Sequence, residues 1–322
     1  AVRAATLVAI ATPMHTALAL GVHAARRVRA ENPSARIGMF GLYASLNAEH
    51  LLREGIVDDV LGPDTGPELV AHSLGSPPPR QDLRRPLSVL PHRRDLEPLS
   101  RYVRLHDGDR RKVVGTTEAT TGCRHKCRHC PVVPVYQGRF FATDADIVAA
   151  DIAQLVRAGA EHITFGDADF FNAPKHALTV ARALNQAHPH LSFDATVKVE
   201  HIVRHADVVA QLAALGLLFL VSAFESLDDR VLGILDKGHT YKDALGALAI
   251  ARQAGIVVRP TFIAFTPWTT LADYVWLIRF VIEHDLVHEV DPVQLTLRLL
   301  VPPKSLLLAE PALAPHLGTL DA

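Results

Sequence analysis

All three cysteines of this 322-residue chain fall within eight positions, as Cys123, Cys127 and Cys130. A Cys-x3-Cys-x2-Cys cluster cannot build a disulfide framework, and clustered free thiols persist as metal ligands in a reducing compartment, so the expected location is cytoplasmic. Three thiolates in one short loop suit three irons of a 4Fe-4S cluster and leave the fourth iron open as a reaction site. The plainer reading is a zinc-stabilised binding module in which His125 or His129 supplies the fourth tetrahedral ligand. Against it, no second hook such as Cys-x2-Cys or His-x3-His with a plausible partner is expected elsewhere in the chain.

The loop needs a scaffold, and the hydrophobic pattern supplies one. From residue 113 the sequence alternates strand-like and helix-like segments. Strands are expected at 113–117, 162–166, 191–197, 217–223, 257–262 and 293–299, and helices at 143–158, 175–187, 201–215, 228–235, 241–254 and 270–284. Strands separated by amphipathic helices pair in parallel, which predicts an α/β fold with a partial (βα)6, TIM-like barrel. The cysteines follow the first of these strands, on the C-terminal face where barrel active sites assemble. Residues 1–65 read as part of a doubly wound, Rossmann-like sheet, with strands at 7–10, 37–41 and 60–61 and helices at 16–29 and 46–54. Residues 66–112, with the Pro77-Pro78-Pro79 run, read as a connector, and 301–322 as a C-terminal extension. The start at Ala1 on a strand-like run suggests a piece of a longer protein.

Composition narrows the partners. Lys+Arg 33 against Asp+Glu 34 gives a formal charge of −1, which offers nothing to a polyanion, and no apolar run is long enough to span a bilayer. A small-molecule substrate is expected, with no nucleic acid and no membrane.

Several barrel positions carry groups fit for a ligand. Gly166, Asp167 and Asp169 end the second strand, where glycine allows close approach and a carboxylate pairs with an ammonium; an N-cap is the plainer role for Asp169. Alternation sets Asp194, Thr196 and Lys198 on one face of the third strand. The plainer reading of Lys198 is a salt bridge with Asp167 or Glu225. Glu225 and Ser226 follow the fourth strand, and Ser226 also suits a helix cap. Lys237-Gly238 reads as an ordinary helix end.

The cysteine spacing in this strand-loop context resembles the radical S-adenosylmethionine (SAM) superfamily over about residues 113–300, most closely its branch with an N-terminal cobalamin-binding-like domain and, in a subgroup, a cysteine- or selenocysteine-bearing tail. The resemblance implies that Cys123, Cys127 and Cys130 hold the cluster and are catalytic. It also implies that the open iron binds SAM, that His129 lies near the adenine, and that Gly166, Asp167 and Asp169 meet the SAM amino group. Thr196 or Asp194 would touch the ribose and Lys198 the carboxylate, while Glu225 and Ser226 would contact SAM or substrate. An electron donor such as flavodoxin or ferredoxin is implied. The expected activity is reductive SAM cleavage that starts radical chemistry on a small or natural-product-like substrate. The alternative is transfer of a SAM-derived group, either methyl by way of cobalamin or aminocarboxypropyl. The Asp-x-His-x2-Gly motif of a lower axial histidine is absent, so cobalamin stays an open but disfavoured cofactor, with His15 the sole candidate near the right strand end.

Overall fold

A computed structural model of the chain describes residues 2–63, 69 and 89–318. Of the expected connector, residues 66–68 and 70–88 lie outside the described residues, as do Ala1, residues 64–65 and the last four of the extension. The chain divides into two compact units. One comprises Ala1–Leu87, Arg128–Gln137 and Val301–Ala322, the other Ser88–Cys127 and Gly138–Leu300.

In the first unit, β1 (Leu7–Ala11), β2 (Arg36–Phe40) and β3 (Asp59–Val60) pair in parallel in that order. Parallel neighbours need a crossover. The helix α1 (His15–Glu31) makes the first, and α2 (Leu42–Leu46) with α3 (Ala48–Arg53) makes the second. Ile37 and Met39 of β2 are wholly buried with Ala25, Ala44 and Leu51, which burial removes from water and so holds the layers together. The helix expected at 46–54 starts earlier and breaks at Asn47, whose side-chain amide donates to the Tyr43 carbonyl at 2.8 Å.

The second unit is a curled half-barrel. Its hairpin of β4 (Arg104–Asp107) and β5 (Arg110–Thr117) is antiparallel, and a smaller one pairs β6 (Thr120–Gly122) with β7 (Phe140–Ala142). Strands β5, β8 (His162–Phe165), β9 (Ser192–Thr196), β10 (Leu217–Glu225) and β11 (Val257–Phe262) then run in parallel in chain order, giving a six-stranded sheet β11-β10-β9-β8-β5-β4. After α4 (Val132–Tyr136, in the first unit) the helices are α5 (Ala145–Arg157), α6 (Pro174–Ala187), α7 (Val199–Arg204), α8 (Ala206–Ala214), α9 (Asp229–Leu235), α10 (Tyr241–Gln253) and α11 (Leu271–Glu283). Reciprocal capping boxes, Thr240 with Asp243 and Thr270 with Asp273, start α10 and α11. Phe165, Phe193, Phe224 and Phe262 from the strands pack into one core with Ile152, Leu184, Leu212 and Phe280 from the helices.

Two expectations need correction. The sixth barrel strand, 293–299, is instead a 3-10 turn over Pro292–Leu295 followed by a single parallel bridge between Phe265 and Arg298. The Asp291 carboxylate accepts from the Val293 amide at 3.0 Å and Pro292 has no amide hydrogen to give, so this stretch starts as a turn. The sheet's sixth strand is β4, from the stretch assigned to the connector. The helix expected over 201–215 is broken at His205 (φ −123°), where α7 ends and α8 begins.

The segment before β4 is fastened to the half-barrel by one buried ion pair. Arg93 donates Nε and Nη2 to the Asp151 carboxylate at 2.6 and 2.7 Å, and Thr117 Oγ1 donates to the same carboxylate at 2.7 Å. Asp151 is 2% exposed, so removing it strands a guanidinium in a poorly hydrated place. Asp151→Ala is expected to destabilise the chain by about 3 kcal/mol in urea unfolding. A loss below about 1 kcal/mol, the worth of an exposed pair, contradicts this.

Candidate functional site

The cysteines occupy an excursion from the mouth of the half-barrel. Residues 123–139 leave from β6 and return into β7, and the Cys123 amide donates to the Arg139 carbonyl at 3.1 Å where the two strands close. The loop after β8 grips the outgoing limb. Asp167 accepts from the Ala119 amide at 3.0 Å and from Thr120 Oγ1 at 2.6 Å. Asn172 accepts from the Arg124 amide at 3.1 Å and donates to the Gly122 carbonyl at 3.3 Å. Cys127 is buried, Cys123 and Cys130 are half-buried, and none of the three is joined in a disulfide.

Between Cys127 and Arg128 the chain passes into the first unit. There the Arg128 carbonyl accepts from Ser305 Oγ at 2.6 Å and from the Leu307 amide at 3.0 Å, while the Arg128 guanidinium pairs with Glu310 at 3.0 Å. The half-buried His129 follows, and the Cys130 carbonyl accepts from the Val133 amide where α4 begins. Burial, and then the nearby Cys130, push the Tyr43 phenol up in pKa. Three soft sulfur donors within eight positions fit an iron–sulfur cluster better than a hard cation.

At the end of β8 the carboxylates have separate tasks. Burial pushes the Asp167 carboxyl up from 3.8 to about 6, against the lowering effect of its bonds from Thr120 and Ala119. Asp169 caps the 3-10 turn Phe170–Asn172 by accepting from the Phe171 amide at 3.1 Å. Its other oxygen lies 2.8 Å from His201 Nδ1 and 3.6 Å from His125 Nε2. Gly166 is exposed at the strand end, and its amide donates to the Thr117 carbonyl.

Lys198 pairs with neither of the acids expected for it. Its ammonium is 3.5 Å from Glu200, which also takes Arg204 at 2.6 Å and lies 3.9 Å from His125 Nδ1. Burial works against the charge of Glu200, yet Lys198, His125 and Arg204 together lower its pKa. Gly238 (φ +75°) lets this carboxylate in, since a Cβ there would stand 2.8 Å from Glu200 Oε2. Glu225 sits in the left-handed region at φ +62°, a strained conformation for a side-chain-bearing residue. It accepts from Lys237 at 3.1 Å, and both side chains are largely buried. Lys237 therefore does more than end a helix. Ser226 Oγ accepts from the Asp228 amide at 3.1 Å, in the turn before α9.

Asp194 belongs to a different network. It accepts from His162 Nε2 at 2.7 Å and Thr164 Oγ1 at 2.6 Å, and His162 Nδ1 meets Ser192 Oγ at 2.8 Å. Thr196 ends β9, half-buried and in register with Val221. The structure thus links Asp169 and Lys198 through His125, His201 and Glu200, and gives Glu225 to Lys237. Sequence reading passed over Glu200, His201 and Lys237. The His201-x3-His205 spacing was the available signal, diluted among eighteen histidines.

Comparison with known proteins gives the class. Residues 117–281, just over half of the chain, match the radical SAM superfamily model, and the chain belongs to that superfamily. It is therefore an enzyme of the kind that uses a 4Fe-4S cluster and SAM. It is 25% identical over 266 residues to the tRNA-2-methylthio-N(6)-dimethylallyladenosine synthase of Histophilus somni, and 24% identical over 265 residues to that of Serratia proteamaculans. The matches cover 77% of this chain and 53% of each relative, so the chain spans about half their length. Among solved structures, the radical SAM methyltransferase TsrM of Kitasatospora setae, with tryptophan and a SAM analogue bound, superposes with a TM-score of 0.66 at 16% identity, over 87% of this chain and 60% of that one. The cobalamin-dependent radical SAM enzyme OxsB, with aqua-cobalamin bound, gives 0.59 at 13% identity, over 96% and 47%. These likenesses show the fold. No helix among the described residues is long and apolar enough to cross a membrane.

The raised carboxyl of Asp167 makes the grip on the excursion pH-dependent. A group whose folded pKa lies above its unfolded value contributes stability at low pH and loses it as pH rises through the folded pKa. Stability is expected to fall between about pH 4 and about pH 6. Asp167→Asn, which keeps the shape without the titration, should lack that step in urea unfolding across this range. An unchanged step in the variant assigns it elsewhere.

Proposed function

We propose that this enzyme reductively cleaves SAM at a cluster held by Cys123, Cys127 and Cys130, and turns the resulting radical on a small or natural-product-like substrate. The observation that carries this reading is the Cys123-x3-Cys127-x2-Cys130 spacing, with none of the three in a disulfide, in the chain between β6 and β7 that follows the first parallel strand of the half-barrel. The cluster, when bound and reduced, supplies the electron that breaks a carbon–sulfur bond of SAM.

The chain's own part is to bind and orient. Lys198 is the cation offered to the SAM carboxylate, already desolvated at 8% exposure and balanced by Glu200. Gly166 leaves room for close approach, Thr196 faces the ribose, His129 the adenine, and Glu225 with Ser226 lines the far side. Asp167 and Asp194 act one layer back, through the excursion and through His162. Asp169 sets the turn that carries Asn172. A reductant such as flavodoxin or ferredoxin is the partner. A formal charge of −1 supports a small substrate over tRNA, the substrate class in the names of the relatives above.

Alanine at any of the three cysteines should remove the cluster's iron and visible absorption together with SAM cleavage, and full iron retention in the triple variant overturns the proposal. Lys198→Ala should keep the iron and weaken SAM binding at least about tenfold, the worth of one charge-assisted bond. Unchanged affinity gives Lys198 a structural role only.

A second reading, cobalamin-assisted group transfer, is favoured by the parallel β1-β2-β3 sheet of the first unit. In that case the corrinoid is held without a histidine. His15 is exposed at the start of α1, its ring centroid 6.1 Å from that of Tyr43. Incubation with hydroxocobalamin and desalting should leave the same corrinoid-to-protein ratio in wild type and His15→Ala. A stoichiometric spectrum that disappears in the variant refutes this.

A further inference from the structure

His125, Asp169 and His201 meet at a point to which the radical SAM reading brings Asp169 alone, and it gives the two histidines no role. They come from three elements of the second unit: the cysteine excursion, the loop after β8 and the first turn of α7. One ligand atom from each lies within 4.8 Å of the other two. His125 Nε2 is 3.2 Å from His201 Nε2 and 3.6 Å from Asp169 Oδ2, and His201 Nδ1 is 2.8 Å from the same oxygen. Donors about 2.1 Å from an ion at tetrahedral angles stand about 3.4 Å apart, and octahedral neighbours about 3.0 Å. The Asp169 contacts, 2.8 Å to His201 Nδ1 and 3.6 Å to His125 Nε2, lie near these values, and the 3.2 Å contact of His125 is to the other ring nitrogen of His201, so one nitrogen of each ring would serve.

Burial makes the arrangement costly without a further partner. Asp169 is 0% and His201 2% exposed. Although Asp169 Oδ2 and His201 Nδ1 are 2.8 Å apart, no hydrogen bond aligns between them, and neither atom has another hydrogen-bond partner. Buried polar atoms of this kind are nearly always satisfied. A cation would satisfy both, because it draws on lone pairs and needs no aligned N–H.

We propose that His125, Asp169 and His201 form a mononuclear site for a divalent first-row transition-metal cation, using none of the three thiols. Two imidazoles and one carboxylate are borderline-to-hard donors and leave positions open for water or another ligand. Glu200, 3.9 Å from His125 Nδ1, adds negative charge beside the site and orients one ligand ring, while Lys198, paired with that Glu200, is the nearby opposing charge. An ion here would staple the excursion carrying Cys123 and Cys127 to the β8 loop and to α7.

Cobalt(II) is the probe. The full-length, cluster-reconstituted protein is incubated anaerobically with Co2+, desalted and analysed for cobalt and iron. One cobalt per chain is expected. His125→Ala and His201→Gln should each weaken Co2+ binding more than about tenfold, since loss of even an outer-shell partner costs that much, with iron content unchanged. The triple cysteine-to-alanine variant should keep its cobalt and lack thiolate-to-cobalt charge-transfer absorption, so failure of the cluster assignment is read separately from failure of this one. His125 sits on a partly exposed loop, so its variant tests the site even where His201→Gln perturbs α7. Absence of stoichiometric cobalt in the wild type leaves a hydrogen-bonded His–His–Asp chain and overturns the proposal, as does cobalt retained by both histidine variants.

Discussion

The bonds from Ala119 and Thr120 to the Asp167 carboxylate join the end of one parallel strand to the start of the excursion after its neighbour. The course of the chain into Cys123 depends on that join. Strands β5 and β8 are adjacent and parallel, so their C-terminal ends open on the same side, and a side chain from one end can reach backbone donors leaving the other. With both oxygens of Asp167 committed, residues 118–122 have one place to go, and Asn172 continues the grip past Cys123. A carboxylate at 2% exposure is expensive to keep charged, which is why its pKa rises even though it accepts good hydrogen bonds.

The strand-helix alternation was legible because the central parallel strands are largely buried and the helices between them carry apolar stripes. The five parallel strands from 110 to 262 fall where the pattern places them. The departures occur where a local polar group outcompetes periodicity. At 293–299 the apolar alternation of Val293, Leu295, Leu297 and Leu299 imitates a strand, but Asp291 and Pro292 open a turn first. The edge strand β4 was hidden for the opposite reason. Its residues Arg104–Asp107 are mostly polar, and they earn strand geometry only through pairing with β5.

The candidate site divides in the same way. The cysteines announce themselves through type and spacing. The ion pairs do not: Lys198 meets Glu200 two positions on, past the end of β9 where strand alternation no longer sets which way a side chain faces, and Lys237 meets Glu225 only after α9 has turned the chain back. Gly238 illustrates the difficulty. Beside Lys237 it reads as a helix end, and two residues earlier Asp236 does take the left-handed C-cap, yet the lack of a side chain at 238 also admits the Glu200 carboxylate. Glu225 in a left-handed backbone is equally invisible in sequence, and its strain is held by the buried partner Lys237.

The far limb of the cysteine excursion is held differently. Arg128 is bonded by Ser305 and Leu307 and paired with Glu310, residues that follow the half-barrel by sequence yet fold with the first unit. A backbone carbonyl that accepts two hydrogen bonds cannot rotate without breaking both, so the peptide between Cys127 and His129 is set by a segment some 177 positions away. Each limb is therefore anchored within its own unit, the one before Cys127 by carboxamide and carboxylate side chains and the one after it by bonds to the Arg128 carbonyl. A loop held at one end only would pay for each ordered residue on binding its ligand, whereas two anchors place much of that conformational entropy in folding. The extension after the half-barrel thus fixes the main chain just before Cys130 within the first unit, although nothing in its own composition marks it as such.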